Sequence, residues 1–212
     1  MDSGMPSWWR GEAPAEPRPS AALVLRGDVE DLDLRTLDRS GGDGLAHVSL
    51  REARLRGLDL CLDDTKLTVW WSQLEDCRLT QRARPVANAR GCTAQGTLGA
   101  GPSLYRGCRF ERVRFRTTTG FSMGAATFEG CEFVHCRWEG SRAWSADLVD
   151  CRFTGRMDGA VWFGTDRRTG RRNVVRGNDF SGVTFTDNVG WRFDFPVDDQ
   201  LWPSGYAPVP RS

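Results

Sequence analysis

The apolar residues of this chain recur at steps of five, and a small residue stands two positions before each large one. The triplet small, any, large occurs as Cys131-Glu-Phe133 and again as Cys136-Arg-Trp138. A strand alternates with a period of two and a helix with a period of 3.6, so a step of five matches neither. The pattern therefore indicates a repeating unit whose small and large residues point inward together. Within blocks, the large residues stand at 50, 55 and 60, at 74 and 79, at 110 and 115, at 128, 133, 138, 148, 153 and 163, and at 180, 185 and 195.

This step of five resembles the pentapeptide-repeat family, whose consensus is often written Ala-(Asp/Asn)-Leu-x-x. Ala146-Asp147-Leu148 matches the consensus, and Asn178-Asp179-Phe180 comes close to it. The resemblance covers about residues 21–195 and implies an all-β fold, a right-handed, four-sided parallel β-helix with irregular terminal arms and a few protruding loops. Turns that stack at the strand spacing of about 4.8 Å would form a rod of roughly eight turns and about 40 Å.

Five of the seven cysteines occupy the small inward position of the repeat. A compact, weakly polar thiol suits a narrow interior, so we interpret these residues as packing groups rather than as redox or nucleophilic groups. The repeat places His135 on the surface, and its neighbours Cys131 and Cys136 lack a second ligand pair at the spacing of a zinc finger. The five cysteines are Cys77, Cys108, Cys131, Cys136 and Cys151.

Breaks in the repeat divide the chain into an arm, a solenoid and a tail. Residues 1–20 contain four prolines, which predicts a flexible or docking N-terminal arm. Residues 21–195 form the β-helix, and residues 196–212 form a proline-rich tail that would cap its last turn. The β-helix is interrupted near 38–46, 80–104, 116–123 and 164–174. Alanine and glycine hold the central positions between 80 and 104, which predicts a partly irregular wall or a loop.

The net charge of +1 conceals an uneven distribution of charge along the chain. Residues 21–64 sum to −4 and residues 177–212 to −3, whereas residues 106–116 and 165–176 each sum to +4. We therefore expect a rod that is acidic towards both ends and basic in the middle. The near-zero total disfavours a globally basic nucleic-acid binder and a strongly acidic nucleic-acid mimic alike. We accordingly expect no direct binding of nucleic acid.

Features outside the repeat bear on the cellular setting. The N-terminus has an acid at position two and no apolar run, so no secretory signal is predicted. No apolar stretch reaches the length of a bilayer span, so no membrane association is expected. Lys66 is the only lysine among 29 cations, and isoleucine is absent. We interpret this bias as that of a GC-rich bacterial genome, and cytoplasm as the compartment.

Arginine and tryptophan residues outside the inward positions are the candidates for partner binding. The insertion at 165–172 has four arginines and one aspartate, and it is predicted to protrude as a mobile loop that suits phosphate or carboxylate recognition. Trp70 and Trp71 would point to opposite faces of an extended segment, so one of them should face outward. Trp144 is also expected to be exposed. The full candidate set is Arg167, Arg168, Arg171, Arg172, Trp70, Trp71 and Trp144.

No motif of a phosphate-binding loop, a nucleophile elbow or a zinc protease is present in the sequence. We therefore assign no catalytic residue, cofactor or metal and lean against an enzyme. The favoured function is a non-enzymatic scaffold for a macromolecular, protein partner. The resemblance implies an alternative, a factor that interacts with a type II topoisomerase (DNA gyrase) and confers protection or antibiotic self-resistance, although the neutral charge departs from it. A second alternative is a small-molecule binder or biosynthetic enzyme with a pocket on the β-helix wall.

Overall fold

The structure is a computed structural model that describes residues 23–39, 44–82, 95–117, 120–186 and 188–211. The predicted N-terminal arm and residues 83–94 of the predicted irregular wall lie outside these ranges. Regular structure in the described ranges is almost entirely β, apart from two short 3-10 helices at Leu34–Thr36 and Val197–Asp199. None of the described helices is long and apolar enough to cross a membrane.

Most of the strands are only two to four residues long, as expected for a chain that bends every five residues. They are β1 Leu23–Val29, β2 Ala46–Arg56, β3 Asp59–Cys61, β4 Thr65–Trp70, β5 Gln73–Glu75, β6 Arg78–Thr80, β7 Gln95–Thr97, β8 Ser103–Arg106, β9 Arg109–Glu111, β10 Arg114–Phe115, β11 Phe121–Ser122, β12 Ala126–Glu129, β13 Glu132–Glu139, β14 Arg142–Ala143, β15 Asp147–Val149, β16 Arg152–Asp158, β17 Val161–Phe163, β18 Thr165–Asp166, β19 Arg171–Arg172, β20 Val175–Arg176, β21 Asp179–Phe185, β22 Gly190–Arg192 and β23 Pro210–Arg211.

Most strands pair with a strand one turn away rather than with their neighbour in sequence. Seventeen strands join one sheet, and β14, β17, β22 and β23 form a second sheet. Pairing in both sheets is parallel, as between β9 and β13 or between β13 and β16. Only β18 and β19 pair antiparallel among the described strands. The molecule is therefore a parallel β-solenoid of about six turns, and its predicted right hand and four-sided cross-section stay predictions.

The stack of large inward residues shows why the molecule has about six turns rather than the roughly eight that we expected. Phe133 and Phe153 are neighbours in the stack and lie 20 residues apart in sequence. Leu79 and Phe110 are also neighbours but lie 31 residues apart, because the interruption near 80–104 falls between them. Longer turns thus use more residues without adding a turn to the solenoid. The column runs through Leu60, Leu79, Phe110, Phe133, Phe153 and Phe180.

The predicted inward position of the five cysteines is confirmed, since each is at most 1% exposed. Four of the thiols, all except that of Cys77, hydrogen-bond to the preceding turn, where each meets the carbonyl oxygen of a large inward residue. Cys131 Sγ donates to the carbonyl oxygen of Tyr105 at 3.4 Å, and Cys151 Sγ donates to that of Phe128 at 3.3 Å. Burial raises the pKa of the Cys131 and Cys136 thiols. These cysteines pack and link turns, and burial keeps the two thiols protonated.

The second residue after many of the large inward residues bends the chain in the left-handed backbone region. His135 follows Phe133 in this position with φ of 52°, and Gly130 follows Phe128 with φ of 58°. Glycine adopts this conformation without steric cost, and aspartate tolerates it better than bulky residues do. The recurrence of glycine and aspartate at this position is a second periodic signal in the sequence, and it marks the bend between successive strands.

One pentad is a residue short, and the predicted register of the triplet that follows it, at 161–163, is wrong. The triplet Val161-Trp-Phe163 was expected to point its first and last residues inward. Instead Trp162 is 1% exposed inside the solenoid, and Phe163 is buried on the outer wall between Trp144 and Phe193. The step from Phe153 to the next inward residue, Met157, is four residues rather than five. The inward set therefore shifts by one position at Met157 and Trp162, whereas Phe180 is buried as predicted.

The C-terminal tail packs on the last turn through two aromatic rings. Trp202 stacks on Phe180 with ring centroids 5.0 Å apart, and Tyr206 stacks on Phe185 at 4.2 Å. Trp191 Nε1 donates a hydrogen bond to the Tyr206 hydroxyl at 2.9 Å. The tail thus covers apolar rings that would otherwise face water at this end of the stack.

Candidate binding surface

A row of three aromatic side chains lies on the outer wall of the solenoid. Trp144 follows β14, Phe163 ends β17, and Phe193 follows β22, so that one ring comes from each of three successive turns. The ring centroids of Trp144 and Phe163 are 3.9 Å apart, and those of Phe163 and Phe193 are 5.7 Å apart. We call these three residues the outer aromatic ladder. Trp144, which was expected to be exposed, is half-buried because Phe163 covers one face of its ring.

The arginine-rich insertion forms a short antiparallel hairpin beside this ladder. Thr165 pairs with Arg172 and Asp166 pairs with Arg171, and the Gly170 N–H closes the turn on the Asp166 carbonyl oxygen at 2.7 Å. The Asp166 side chain is buried and accepts hydrogen bonds from the Arg168 backbone N–H at 3.0 Å and from the Ser145 hydroxyl. We call residues 165–172 the arginine hairpin.

The arginine hairpin is docked on the wall, whereas the sequence predicted a protruding, mobile loop. Arg171 forms an ion pair with Asp147, which is buried on the neighbouring wall. Asn173 donates from Nδ2 to the carbonyl oxygens of Trp144 at 2.9 Å and Phe163 at 2.8 Å. The Arg168 guanidinium lies 5.7 Å from the centre of the Trp144 ring. The spacing of apolar residues cannot predict the buried polar groups that anchor the hairpin.

Electrostatics at Asp166 favour the charged carboxylate. Burial acts to raise the pKa of this group, but the hydrogen bonds from Arg168 and Ser145 outweigh burial and leave the pKa below its ordinary value. The carboxylate therefore stays charged at neutral pH and holds the Arg168 guanidinium, whose Nε lies 3.3 Å away. This pair fixes the turn of the hairpin.

The four arginines of the hairpin divide into two pairs with different surroundings. Arg168 and Arg171 form ion pairs with Asp166 and Asp147. Arg167 lies over the Phe193 ring at 4.5 Å and has no ion pair within the described residues. Arg172 is exposed and has none there either. The guanidinium groups that remain open to a partner are thus those of Arg167 and Arg172.

Trp70 and Trp71 form a separate group. Their rings stack with centroids 5.6 Å apart, and both residues are half-buried. The prediction that they point to opposite faces is wrong, because Trp71 has φ of 44° and therefore departs from extended geometry. The Arg51 guanidinium lies 5.2 Å from the centre of the Trp70 ring. None of the described contacts joins these tryptophans to the arginine hairpin, so the candidate residues do not form one site.

Ion pairs along the wall neutralise many of the outward carboxylates. Glu75 lies between Arg56 at 3.8 Å and Arg106 at 3.3 Å, and Arg106 also contacts Glu129 at 3.0 Å. Each such exposed pair contributes little to stability, but together they cancel the charge of the column. In a second column Arg78 lies opposite Arg109, and both contact Glu111, at 2.6 Å and 3.8 Å. The hydrogen bond from Arg78 holds the pKa of Glu111 below its ordinary value. Neither column presents an uncompensated acidic face.

The described ranges contain no group of three His, Cys, Asp or Glu side chains arranged to hold a metal ion. The fold and this surface together define a parallel β-solenoid that carries a docked arginine hairpin beside a row of aromatic rings. No protein-family model matches the chain, and no curated protein matches it.

A comparison with solved structures matches the chain to structures of QnrB1, a plasmid-mediated fluoroquinolone resistance protein. A trypsin-treated variant is 12% identical with a TM-score of 0.29, and the match covers 70% of this chain and 65% of that chain. The full-length protein is 12% identical with a TM-score of 0.23, covering 73% of this chain and 81% of that one. A second trypsin-treated variant has a TM-score of 0.22 at 12% identity, with 85% and 78% covered. This chain thus spans about two thirds of the length of the first of these structures.

Proposed function

We propose that the chain is a non-enzymatic binding scaffold of the pentapeptide-repeat type, which presents the arginine hairpin and the outer aromatic ladder to an acidic protein partner. The observation that supports this proposal most directly is the division of the hairpin arginines. Arg168 and Arg171 hold the hairpin on the wall through Asp166 and Asp147. Arg167 and Arg172 are left without a carboxylate among the described residues.

A docked hairpin suits binding for an energetic reason. A mobile loop must be ordered when it binds, and that ordering reduces affinity, whereas a preorganised loop avoids most of the cost. Arginine is enriched among the residues that dominate interface energies, and its planar guanidinium can bind a carboxylate through two hydrogen bonds. Arg167 is further held by its contact with the Phe193 ring. An acidic segment of a partner would thus meet two guanidinium groups on a rigid support.

The test is affinity capture from a bacterial lysate with the double variant Arg167→Ser and Arg172→Ser. We expect the double variant to lose the partner that the native chain captures and to keep its thermal midpoint, because neither residue forms an ion pair with the described part of the wall. Arg152→Ser is the matched control, since Arg152 is an exposed arginine outside the hairpin. Capture of the same partner by the native chain and the double variant would refute the role of the hairpin.

A type II topoisomerase is the second candidate partner, and the five-residue step on a parallel solenoid favours it through the resemblance to pentapeptide-repeat proteins. The neutralised columns of the wall do not favour mimicry of DNA by acidic charge. A supercoiling assay with purified gyrase, with and without a quinolone, tests this candidate. Inhibition or rescue at micromolar protein would support it, and the absence of both would exclude it.

A further inference from the structure

A third column on the wall stacks three arginines on one another. Arg114 pairs with Arg137 across β10 and β13, and Arg137 pairs with Arg156 across β13 and β16. Neighbouring strands of a sheet lie about 4.8 Å apart, and like charges directly opposite each other destabilise the pairing. We call these three residues the arginine column. It departs from the alternation of arginine and glutamate that neutralises the wall at Glu75 and Arg106.

The carboxylates beside the arginine column neutralise only part of its charge. Arg114 Nε donates to Glu139 at 2.8 Å, so that Glu139 is occupied. Asp158 accepts from Arg156 at 3.4 Å and from the Thr186 hydroxyl at 3.0 Å. Arg137 is exposed and forms no ion pair within the described residues. The column thus retains a guanidinium group without a partner at its centre.

The short pentad opens a groove next to that group. Two residues, Val134 and His135, separate Phe133 from Cys136, whereas Thr154 alone separates Phe153 from Gly155 on the next turn. The wall of that turn is therefore one residue shorter. Gly155 has φ of 120°, and a Cβ atom there would lie 2.1 Å from the Cys136 carbonyl oxygen, so only glycine fits.

The groove has a volume of about 520 Å³, which lies within the usual range for small-molecule sites. Cys136 and Gly155 lie along it, together with Arg137 and Arg156 of the arginine column. Glu139, Asp158 and His135 complete the lining. The groove therefore combines two guanidinium groups from adjacent turns with two carboxylates that are already hydrogen-bonded.

We propose that this groove binds a small molecule that carries a phosphate group. A carboxylate has one negative charge and two oxygens, which a single guanidinium fork can satisfy. A phosphate group has nearly two charges and three acceptor oxygens, so it can bind the guanidinium groups of Arg137 and Arg156 together. The flanking Glu139 and Asp158 repel an extended polyanion such as a nucleic acid, and they can accept hydrogen bonds from hydroxyl groups of a compact ligand. This groove does not include the arginine hairpin, so the two proposals can fail independently.

The test is isothermal titration calorimetry, which measures the affinity of the full chain for pyrophosphate at low ionic strength. The variants Arg137→Gln and Arg156→Gln are then titrated in the same way. We expect saturable binding at one site and a loss of affinity of about tenfold or more in each variant, because a hydrogen bond to a charged group contributes roughly 1.5–3 kcal/mol. Arg137→Lys keeps the charge but loses the fork, so its affinity should lie between those of the native chain and Arg137→Gln.

Arg152→Gln is the matched control, because Arg152 lies on the same strand as Arg156, is similarly exposed and pairs with Asp179 at 3.6 Å. Its affinity for pyrophosphate should stay within about twofold of the native value. The proposal is overturned if pyrophosphate gives no saturable heat at millimolar concentration, or if Arg152→Gln loses as much affinity as Arg137→Gln. Equal binding of acetate would overturn the preference for phosphate. Thermal midpoints within a few degrees of the native value establish that the variants are folded.

Discussion

Replacement of Phe133 by alanine should remove a large part of the stability of the solenoid. Phe133 is fully buried, and its ring lies between Phe110 at 4.8 Å and Phe153 at 4.6 Å with interplanar angles of 9° and 3°. It also meets the ring of Phe128 edge-on at 5.5 Å. The side chain therefore connects three consecutive turns, and each turn of a solenoid contacts only its neighbours.

The expected loss in the free energy of unfolding is about 4 kcal/mol. Truncation of a buried phenylalanine to alanine costs about 3–5 kcal/mol, and each stacked pair contributes about 0.5–1.5 kcal/mol beyond area burial. We place Phe133→Ala in the upper half of the range, because β9 and β16 hold the neighbouring rings in place and limit collapse into the cavity. A typical domain has a total stability of only about 5–15 kcal/mol.

Equilibrium urea unfolding followed by circular dichroism measures this loss. With a denaturant slope of about 2 kcal/mol/M, a loss of about 4 kcal/mol lowers the urea midpoint by about 2 M. Phe193→Ala is the control, because Phe193 is half-buried on the outer aromatic ladder and stacks on one ring at 5.7 Å. We expect that control to lose about 1 kcal/mol. A loss below about 2 kcal/mol for Phe133→Ala, or a loss equal to that of the control, would refute this account of the core.

Three further predictions concern the cysteine, the bend and the hairpin. Cys131→Ser keeps a donor for the Tyr105 carbonyl oxygen and should cost about 1 kcal/mol, whereas Cys131→Val loses the donor and should cost about 2–3 kcal/mol in the same urea titration. Gly130→Val places a β-branched residue at φ of 58°. It should reduce the free energy of unfolding by about 2 kcal/mol and lower the thermal midpoint by several degrees. An unchanged midpoint would contradict the role of the bend. Since the folded pKa of Asp166 lies below its unfolded value near 4, its contribution to stability is present above that pH and is lost as the pH falls through the folded pKa. The stability difference between the native chain and Asp166→Asn, measured by thermal unfolding from pH 7 to pH 2, should therefore shrink in acid, and a constant difference would contradict it.

Part of the candidate site could be predicted from the sequence. The arginine-rich insertion and Trp144 stand outside the five-residue step, and the structure brings them together through Arg168 and the Trp144 ring at 5.7 Å. The anchoring groups could not be predicted, because Asp166 and Asn173 are polar residues whose burial depends on partners more than 20 residues away on another turn. The position of Phe163 on the outer wall could not be predicted either. The pentad near Gly155 is one residue short, so the inward position falls on Trp162 instead of Phe163.

The solenoid, its inward cysteines and its aromatic interior follow from the residue pattern of the sequence. A step of five is a local property, and burial of each small and large pair needs only the same pattern on the next turn. The number of turns, the docking of the arginine hairpin and the stacking of Arg114, Arg137 and Arg156 follow only from the folded arrangement of the turns. Those features depend on which residues become neighbours across turns of unequal length. The arginine column is thus set by the length of each turn, a long-range property that no local period contains.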